Sequence, residues 1–523
     1  VSVVDVVIVG GGASGSLLAA RLAEAGKSVT VFEAGPRREA GDMISSQIWS
    51  RRLRWGGPPV ATTGAEPIGF GFNAGWGTGG AALHHYGTWP RLHSADFSVA
   101  SDHGRGRDWP IGYDDLRPYY DRIQLEVGLS GDAVAEVWRP AGAPYPMPPL
   151  PPMKQGLLLA NAFAKSGIRT APAPMAINSV EYGGRPACQL DGWCDAGCPI
   201  MALANPWALY LPRAEAAGAR IVSDAAVTRV LSDRADQVSG VEYRGPDGRR
   251  AVQAARLVIL CGSVVGNPAL LLGSAGSHHP AGIGNTHGQV GRGVMTHGLI
   301  QVLGLFPEET EPHRGVVGAH LISHDAYGKT ATAGAFGSRQ WLIAPSIKPN
   351  DIAGLAAARV DLNGAALDDF LRRAVRHAAN MIGMCEAMPD ADNRVELTDR
   401  TNAWGVPGAR MVHRFSDDAK RLYAALRDEG QRIFKAGGAT DVWTTPMNSA
   451  HLMGGTAMGR DAASSVTDAT GRVHGIDNLY IAGPGLFPTA GAVNPTFTVH
   501  ALALRTSDHL IGERDDLFAK ART

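Results

Sequence analysis

Residues 5–15 read Asp-Val-Val-Ile-Val-Gly-Gly-Gly-Ala-Ser-Gly, and this stretch restricts the fold more than anything else in the chain. The apolar run Val6–Val9 predicts a buried strand, and the glycines after it end that strand. Gly10, Gly12 and Gly15 have the G-x-G-x-x-G spacing. Gly10 permits a tight turn, Gly12 lets backbone approach a pyrophosphate, and Gly15 lets the following helix pack on the strand. Small and apolar residues over Ser16–Ala25 predict that helix, and Ser28–Phe32 predicts a second strand. A helix joining two parallel strands is a right-handed βαβ unit. Its N-terminus, around Gly12, Ala13 and Ser14, offers unpaired N–H groups to phosphate. Glu33 ends the second strand, where a carboxylate accepts hydrogen bonds from ribose hydroxyls. The unit predicts dinucleotide binding without distinguishing FAD from NAD.

At 523 residues the chain is too long for one ordinary core, so two or three structural units are expected. Lysine plus arginine equal aspartate plus glutamate at 49 each, which argues against nucleic acid as the main partner, because phosphate binding needs a basic face. The longest uncharged stretch, Leu257–Pro280, has the length of a membrane helix. Its glycines, serines, Asn267 and Pro268 break it instead into a strand (Leu257–Cys261), a turn and a short buried helix near Pro268–Leu272. No transmembrane segment is expected. The apolar start Val1–Gly10 has no basic flank, so the expected location is cytoplasmic, or periplasmic if exported with a partner subunit.

Further along, Asp108–Gly131 reads as a short helix, and seven prolines between Pro140 and Pro152 read as an extended surface run. Arg220–Glu242 alternates as paired strands do, with a turn at Pro246-Asp247-Gly248. Asn478–Ala482 predicts a strand and Thr496–Ile511 a final helix. Nucleotide-domain signals thus occur at both ends and in the middle of the chain.

Five cysteines are present, of which Cys261 and Cys385 sit among apolar residues and read as buried, inert thiols. Cys188, Cys194 and Cys198 have C-x5-C-x3-C spacing in a loop at 185–200 bounded by Pro186 and Pro199. Such a loop can wrap three thiolates around one cluster. Zinc is disfavoured because no neighbouring fourth ligand exists. Three free thiols in a structural loop are the alternative.

The C-terminal half carries a resemblance. His451-Leu-Met-Gly-Gly-Thr-Ala-Met-Gly459, Asn478-Leu-Tyr-Ile-Ala-Gly483, Phe487-Pro-Thr and Asn494-Pro-Thr-Phe-Thr498 resemble blocks of the glucose–methanol–choline (GMC) oxidoreductases. So do Gly79-Gly80-Ala-Ala-Leu-His84, Val258–Ser263 and Asp108–Tyr120, in family order. The resemblance implies an α/β fold, α+β overall. An FAD-binding Rossmann-type domain would comprise 1–95, 213–300 and 445–523. A discontinuous substrate-binding domain, 96–212 and 301–444, would be built on a mostly antiparallel sheet. It also implies FAD, with Gly79, Gly80, His84, Val227, Gly483, Pro495 and Thr496 beside it, and His451 and Asn494 as catalytic groups. A neutral imidazole suits a base near pH 7, and the start of the last helix favours anionic reduced flavin. His84 matches a position at which pyranose-oxidase-like members attach flavin covalently.

The cysteine block resembles one branch, the glucose, fructose, gluconate and glucoside 3-dehydrogenase subunits, some of which bind a 3Fe-4S cluster. That branch implies a sugar or glycoside substrate oxidised at a secondary hydroxyl (C2 or C3). It also implies an external electron acceptor, with a small accessory subunit and a cytochrome as partners. An oxidase forming peroxide and an FAD-containing lyase are the competing family readings. The weakly matched stretch 300–385 is expected to hold variable substrate loops, with Gly328, Gly334 and Gly337 as points of mobility.

Overall fold

The computed structural model describes residues 2–518. Strand β1 (Val4–Val9) runs parallel to β2 (Val29–Phe32), with α1 (Ala13–Glu24) crossing between them. Val6, Val7 and Ile8 are fully buried, as are Leu17, Leu18 and Leu22 of α1. The periodicities of the two elements therefore put their apolar faces together. α2 (Tyr113–Val127) packs outside this layer against the chain's last helix. β3 (Arg220–Val222) extends the parallel sheet beyond β2. β4 (Ala226–Leu231), β5 (Gly240–Arg244) and β6 (Arg250–Leu260) follow as an antiparallel meander. β6 changes partners along its length: its first half pairs with β5, and its second half lies parallel to β1, with Ile8 opposite Ile259. α3 (Ser263–Gly273) leaves the end of β6, so Gly10 and Cys261 sit side by side at the carboxyl ends of adjacent strands. Ligands of open α/β sheets bind at that edge.

The second sheet is antiparallel. It contains β7 (Met295–Leu305), β8 (Leu321–Ser323), β9 (Arg339–Ile343), β10 (Ala378–Cys385), β11 (Asp441–Thr444) and β12 (Asn448–Met453), in the order β11-β7-β10-β9-β8 with Ala171–Pro172 at the edge. β12 pairs with the first half of β7 and β11 with the second. The alternation of strand side chains divides its residues between two environments. Ile300, Val302, Trp341, Ile343 and Met381 pack against Leu422, Leu426, Ile433 and Phe434 of α4 (Asp417–Ala436). A Cβ on Gly430 would stand 2.7 Å from Val302, so glycine lets this helix lie flat on the sheet. The opposite face carries His297, Leu299, Gln340, Leu342, Ile382 and Met384, and looks toward the first sheet's carboxyl edge. β13 (Leu479–Ile481) returns to the first sheet beside β6, and α5 (Thr496–Gly512) packs on α1 and α2.

Several expectations need correction. The stretch 300–385 holds, between its loops, most of β7 and all of β8–β10. Gly337 is held by its N–H donating to Lys329 O at 2.8 Å, and a Cβ there would meet Leu422 at 3.0 Å. The helix expected over Asp108–Gly131 spans only Tyr113–Val127, because the N–H of Gly112 caps onto Asp115 at 2.8 Å. The helix expected near Pro268–Leu272 starts earlier, at Ser263, because the Asn267 side chain accepts from Gly262 N at 2.7 Å and secures its first turn. No helix among the described residues is long and apolar enough to cross a membrane.

Candidate active site

A cavity of about 410 Å³ runs between the carboxyl edge of the first sheet and the inner face of the second. One end is the glycine turn. Gly10 has φ +103°, and a Cβ there would stand 2.6 Å from the carbonyl oxygen of Cys261. Gly15 does not line the cavity; its Cβ would fall 2.0 Å from Gly10 O, which makes it the packing glycine of the turn. Gly79 likewise supports from behind, donating to Gly11 O at 2.9 Å. Gly12, Ala13, Ser14, Gly80, Val227, Gly483, Pro495 and Thr496 all face the cavity. α1 begins at Gly12 with no capping side chain and no acidic residue in its first turn, so its positive end stays open to an anion. Glu33 is buried and accepts from Gly11 N at 3.0 Å and Gly35 N at 2.9 Å. Burial raises its pKa against the pull of those N–H groups. His84 lines the cavity with a buried Nε2 that has no hydrogen-bond partner. Burial and the nearby Arg54 charge hold its pKa down at about 4.

The other end holds His451 and Asn494. His451 lies on β12, where the pairing with β7 shifts between Ala450 and Met453. Its φ is +64°, a conformation costing about 1–3 kcal/mol in a non-glycine residue. The bulge re-aims the imidazole out of the sheet and into the cavity. Nδ1 of His451 lies 3.1 Å from Nδ1 of His297, and Nε2 lies 3.5 Å from Nδ2 of Asn494. His297 Nε2 is 2.9 Å from Gly491 O. Burial, reinforced by the His297 neighbour, lowers the His451 pKa to about 3, and burial lowers that of His297 to about 4. Both rings are therefore neutral near pH 7.

The loop bearing Asn494 is pinned from several elements. Gly491 N donates to Glu386 at 3.1 Å, Ala492 N to Tyr327 Oη at 3.0 Å, and Trp109 Nε1 to Thr489 Oγ1 at 2.8 Å. Behind them Lys329 reaches Asp96 at 2.6 Å and Glu386 at 2.7 Å, all three side chains being at most 2% exposed. Burial alone would depress the lysine pKa, but the two carboxylates hold it above its ordinary value. Asn494 Oδ1 accepts from Gln340 Nε2 at 3.3 Å. His297, Gln340 and the Lys329 cluster were not singled out in the sequence. The histidine in the apolar run of β7 reads like any buried histidine, and no sequence signal points to Gln340 or Lys329. Trp55, Phe70, Phe72 and Trp404 add an aromatic rim to the cavity.

Cys188, Cys194 and Cys198 are free thiols packed in one apolar pocket with Met175, Ile177 and Leu203. Leu190 N donates to Cys188 Sγ at 3.3 Å and Leu203 N to Cys198 Sγ at 3.4 Å. No group of three or more His, Cys, Asp or Glu among the described residues is placed to hold a metal ion. Cys385 is buried as expected, but Cys261 is only partly buried and lines the cavity, because its strand ends there.

Family models of the GMC oxidoreductases match residues 4–299 with the N-terminal part and 389–503 with the C-terminal part. The chain belongs to the GMC oxidoreductase family. It is an FAD-dependent oxidoreductase, and the cavity suits that cofactor: an uncapped helix end for pyrophosphate, a buried carboxylate for ribose, and the orphaned His84 Nε2 in the wall. This GMC oxidoreductase is 29% identical to the fructose dehydrogenase large subunit of Gluconobacter japonicus, over 97% of this chain and 98% of that one. It is 30% identical to paromamine 6'-oxidase of Streptomyces fradiae, over 97% and 91%. The 2-methyl-1,2-propanediol dehydrogenase of Mycolicibacterium austroafricanum is 29% identical, over 99% and 97%. The formate oxidase of Aspergillus oryzae shares the fold, with a TM-score of 0.70, 18% identity and 99% of each chain covered.

Proposed function

We propose that this enzyme is a dehydrogenase that oxidises a secondary hydroxyl of a sugar or glycoside (C2 or C3) and passes electrons to an external acceptor. The observation that carries the chemistry is the pair at the cavity end: a neutral imidazole whose Nε2 meets only the amide of Asn494, 3.5 Å away. Such a nitrogen takes the hydroxyl proton, and the Asn494 amide holds the same oxygen without competing for that proton. Bound FAD supplies the hydride acceptor. The second sheet contributes Leu299, Leu342, Ile382 and Met384 as an apolar wall that excludes water and suits the CH face of a sugar ring. In this reading 1–95, 213–300 and 445–523 hold the cofactor, and 96–212 with 301–444 shape the substrate side.

The sugar substrate and the acceptor rest on the likeness to the fructose dehydrogenase large subunit, whose name implies a further subunit; a small accessory subunit and a cytochrome are part of the proposal on the family branch that the cysteine block resembles. A 3Fe-4S cluster on Cys188, Cys194 and Cys198 is proposed on their C-x5-C-x3-C spacing, although the described residues do not bring the three together in a metal-holding group. Two of the sulfurs accept amide N–H bonds, and their pocket shares Leu342 with the cavity wall. The likeness to paromamine 6'-oxidase favours a second reading, in which O₂ is the acceptor. One experiment separates them. Purified enzyme is mixed anaerobically with D-fructose, D-glucose, D-gluconate, a methyl glucoside and paromamine, and its visible spectrum and iron content are measured. Bleaching by a sugar that an artificial dye reverses faster than air supports the dehydrogenase, and bound iron supports the cluster. Rapid reoxidation by air with peroxide formation supports the oxidase, and no bleaching by any of the five refutes the substrate class.

A further inference from the structure

The hydrogen-bond partners of His451 determine which of its nitrogens carries the proton. Gly491 O can only accept, so the His297 nitrogen 2.9 Å from it, Nε2, bears a hydrogen. His297 is fully buried and its pKa is low, so the ring is neutral and its Nδ1 is a bare lone pair. That lone pair faces His451 Nδ1 at 3.1 Å, and the bond exists only if His451 Nδ1 donates. His451 Nε2 is then unprotonated.

A second chain reaches the same nitrogen from the other side. His93 Nε2 is 3.1 Å from His324 Nδ1, and His324 Nε2 is 2.9 Å from Gln340 Oε1, which can only accept. Gln340 Nε2 donates to Asn494 Oδ1 at 3.3 Å, which leaves the Asn494 NH₂ turned to His451 Nε2. Every donor from His93 through Asn494 and His451 to Gly491 O points the same way along the chain. The 3.5 Å link from Asn494 to His451 is its longest bond, so a substrate hydroxyl displaces it at little cost.

We infer that His297 is a positioning residue that fixes the proton of His451 on Nδ1 and keeps the Nε2 lone pair facing the cavity. The inference rests on the proposed role of His451 as base. His297 does for this histidine what a carboxylate does where one holds a catalytic imidazole, but without adding a negative charge. The base therefore stays unprotonated at rest.

The test is nitrogen-15 NMR of histidine-labelled, flavin-loaded enzyme, with the His451 signals assigned by their loss in H451Q. The wild type should show His451 as the Nδ1–H tautomer. In H297L the Nε2–H tautomer should appear. H297Q should retain Nδ1–H, because its amide nitrogen donates to Gly491 O and leaves its oxygen as acceptor. With the alcohol that bleaches the wild-type flavin, H297L should reduce about 10–100-fold more slowly with little change in KM, the usual effect of losing such a partner, and H297Q should recover most of that loss. An Nε2–H signal in the wild type, or an unchanged tautomer in H297L, overturns the inference. If H297L does not fold or hold flavin, the H297Q spectrum decides, and loss of the Nδ1–H form there overturns it. Wild-type reduction rates in H451Q would instead defeat the base assignment itself.

Discussion

Replacing Lys329 by methionine removes the one cation between Asp96 and Glu386, which sit 2.6 and 2.7 Å from its ammonium and are essentially unexposed. At an effective dielectric of about 20, each pair carries roughly 6 kcal/mol of gross attraction, most of it offset by the cost of desolvating the charges. What the substitution exposes is the remainder. Two buried carboxylates lose their counter-ion, and breaking such a pair from one side costs about 3–5 kcal/mol. That is a large share of the stability of a typical domain. Glu386 also accepts from Gly491 N, so the loop leading to Asn494 loses an anchor. K329M should unfold at clearly lower urea concentration than the wild type and reduce its flavin more slowly. K329M/E386Q, with one carboxylate neutralised, should recover part of the stability. The assay is urea unfolding followed by tryptophan fluorescence at pH 7.5. A loss below about 1 kcal/mol, or no recovery in the double variant, would refute the reasoning.

If the amide holds the substrate oxygen as proposed, N494A should slow flavin reduction roughly 10²–10³-fold while FAD stays bound; stopped-flow absorbance checks this. G10A should purify largely without flavin, since the new Cβ falls 2.6 Å from Cys261 O at a φ of +103°; the ratio of flavin to protein absorbance reports it. Acid should destabilise the fold early. His84, His297, His320 and His500 have pKa values lowered to about 4 and His324 to about 3, each chiefly by burial. As pH falls below 6.5 the unfolded chain takes up protons that the native state refuses, so stability is full above that pH and declines toward the folded pKa values. Each histidine contributes on the order of 1 kcal/mol between pH 7.5 and 5.5, and together they contribute several. A urea midpoint unchanged between those two pH values would contradict this.

The nucleotide end of the molecule was legible in the sequence because its physics is local. Gly10, Gly12, Gly15 and Glu33 act within one βαβ unit, so spacing alone states their roles. The catalytic end was legible only through blocks of resemblance, since His451 and Asn494 come from different elements and meet through a bulge and a pinned loop. The strands within 300–385 were missed for a related reason. They are divided between a helix-facing side and a cavity-facing side, so polar residues such as Gln340 and Asn380 break the apolar pattern that would announce a core sheet. Gly337 looked mobile because sequence does not reveal that Leu422 leaves no room for a side chain. His297 was indistinguishable from an ordinary buried histidine until its two partners were seen.

In the proposed function His451 takes the hydroxyl proton as hydride leaves the adjacent carbon. The most direct measurement is anaerobic flavin reduction by the active alcohol, unlabelled and deuterated at the carbinol carbon, in wild type and in H451Q. The account predicts a primary isotope effect in the wild type and a rate about 10²–10⁴-fold lower in H451Q with FAD still bound. Equal rates in the two proteins would contradict it.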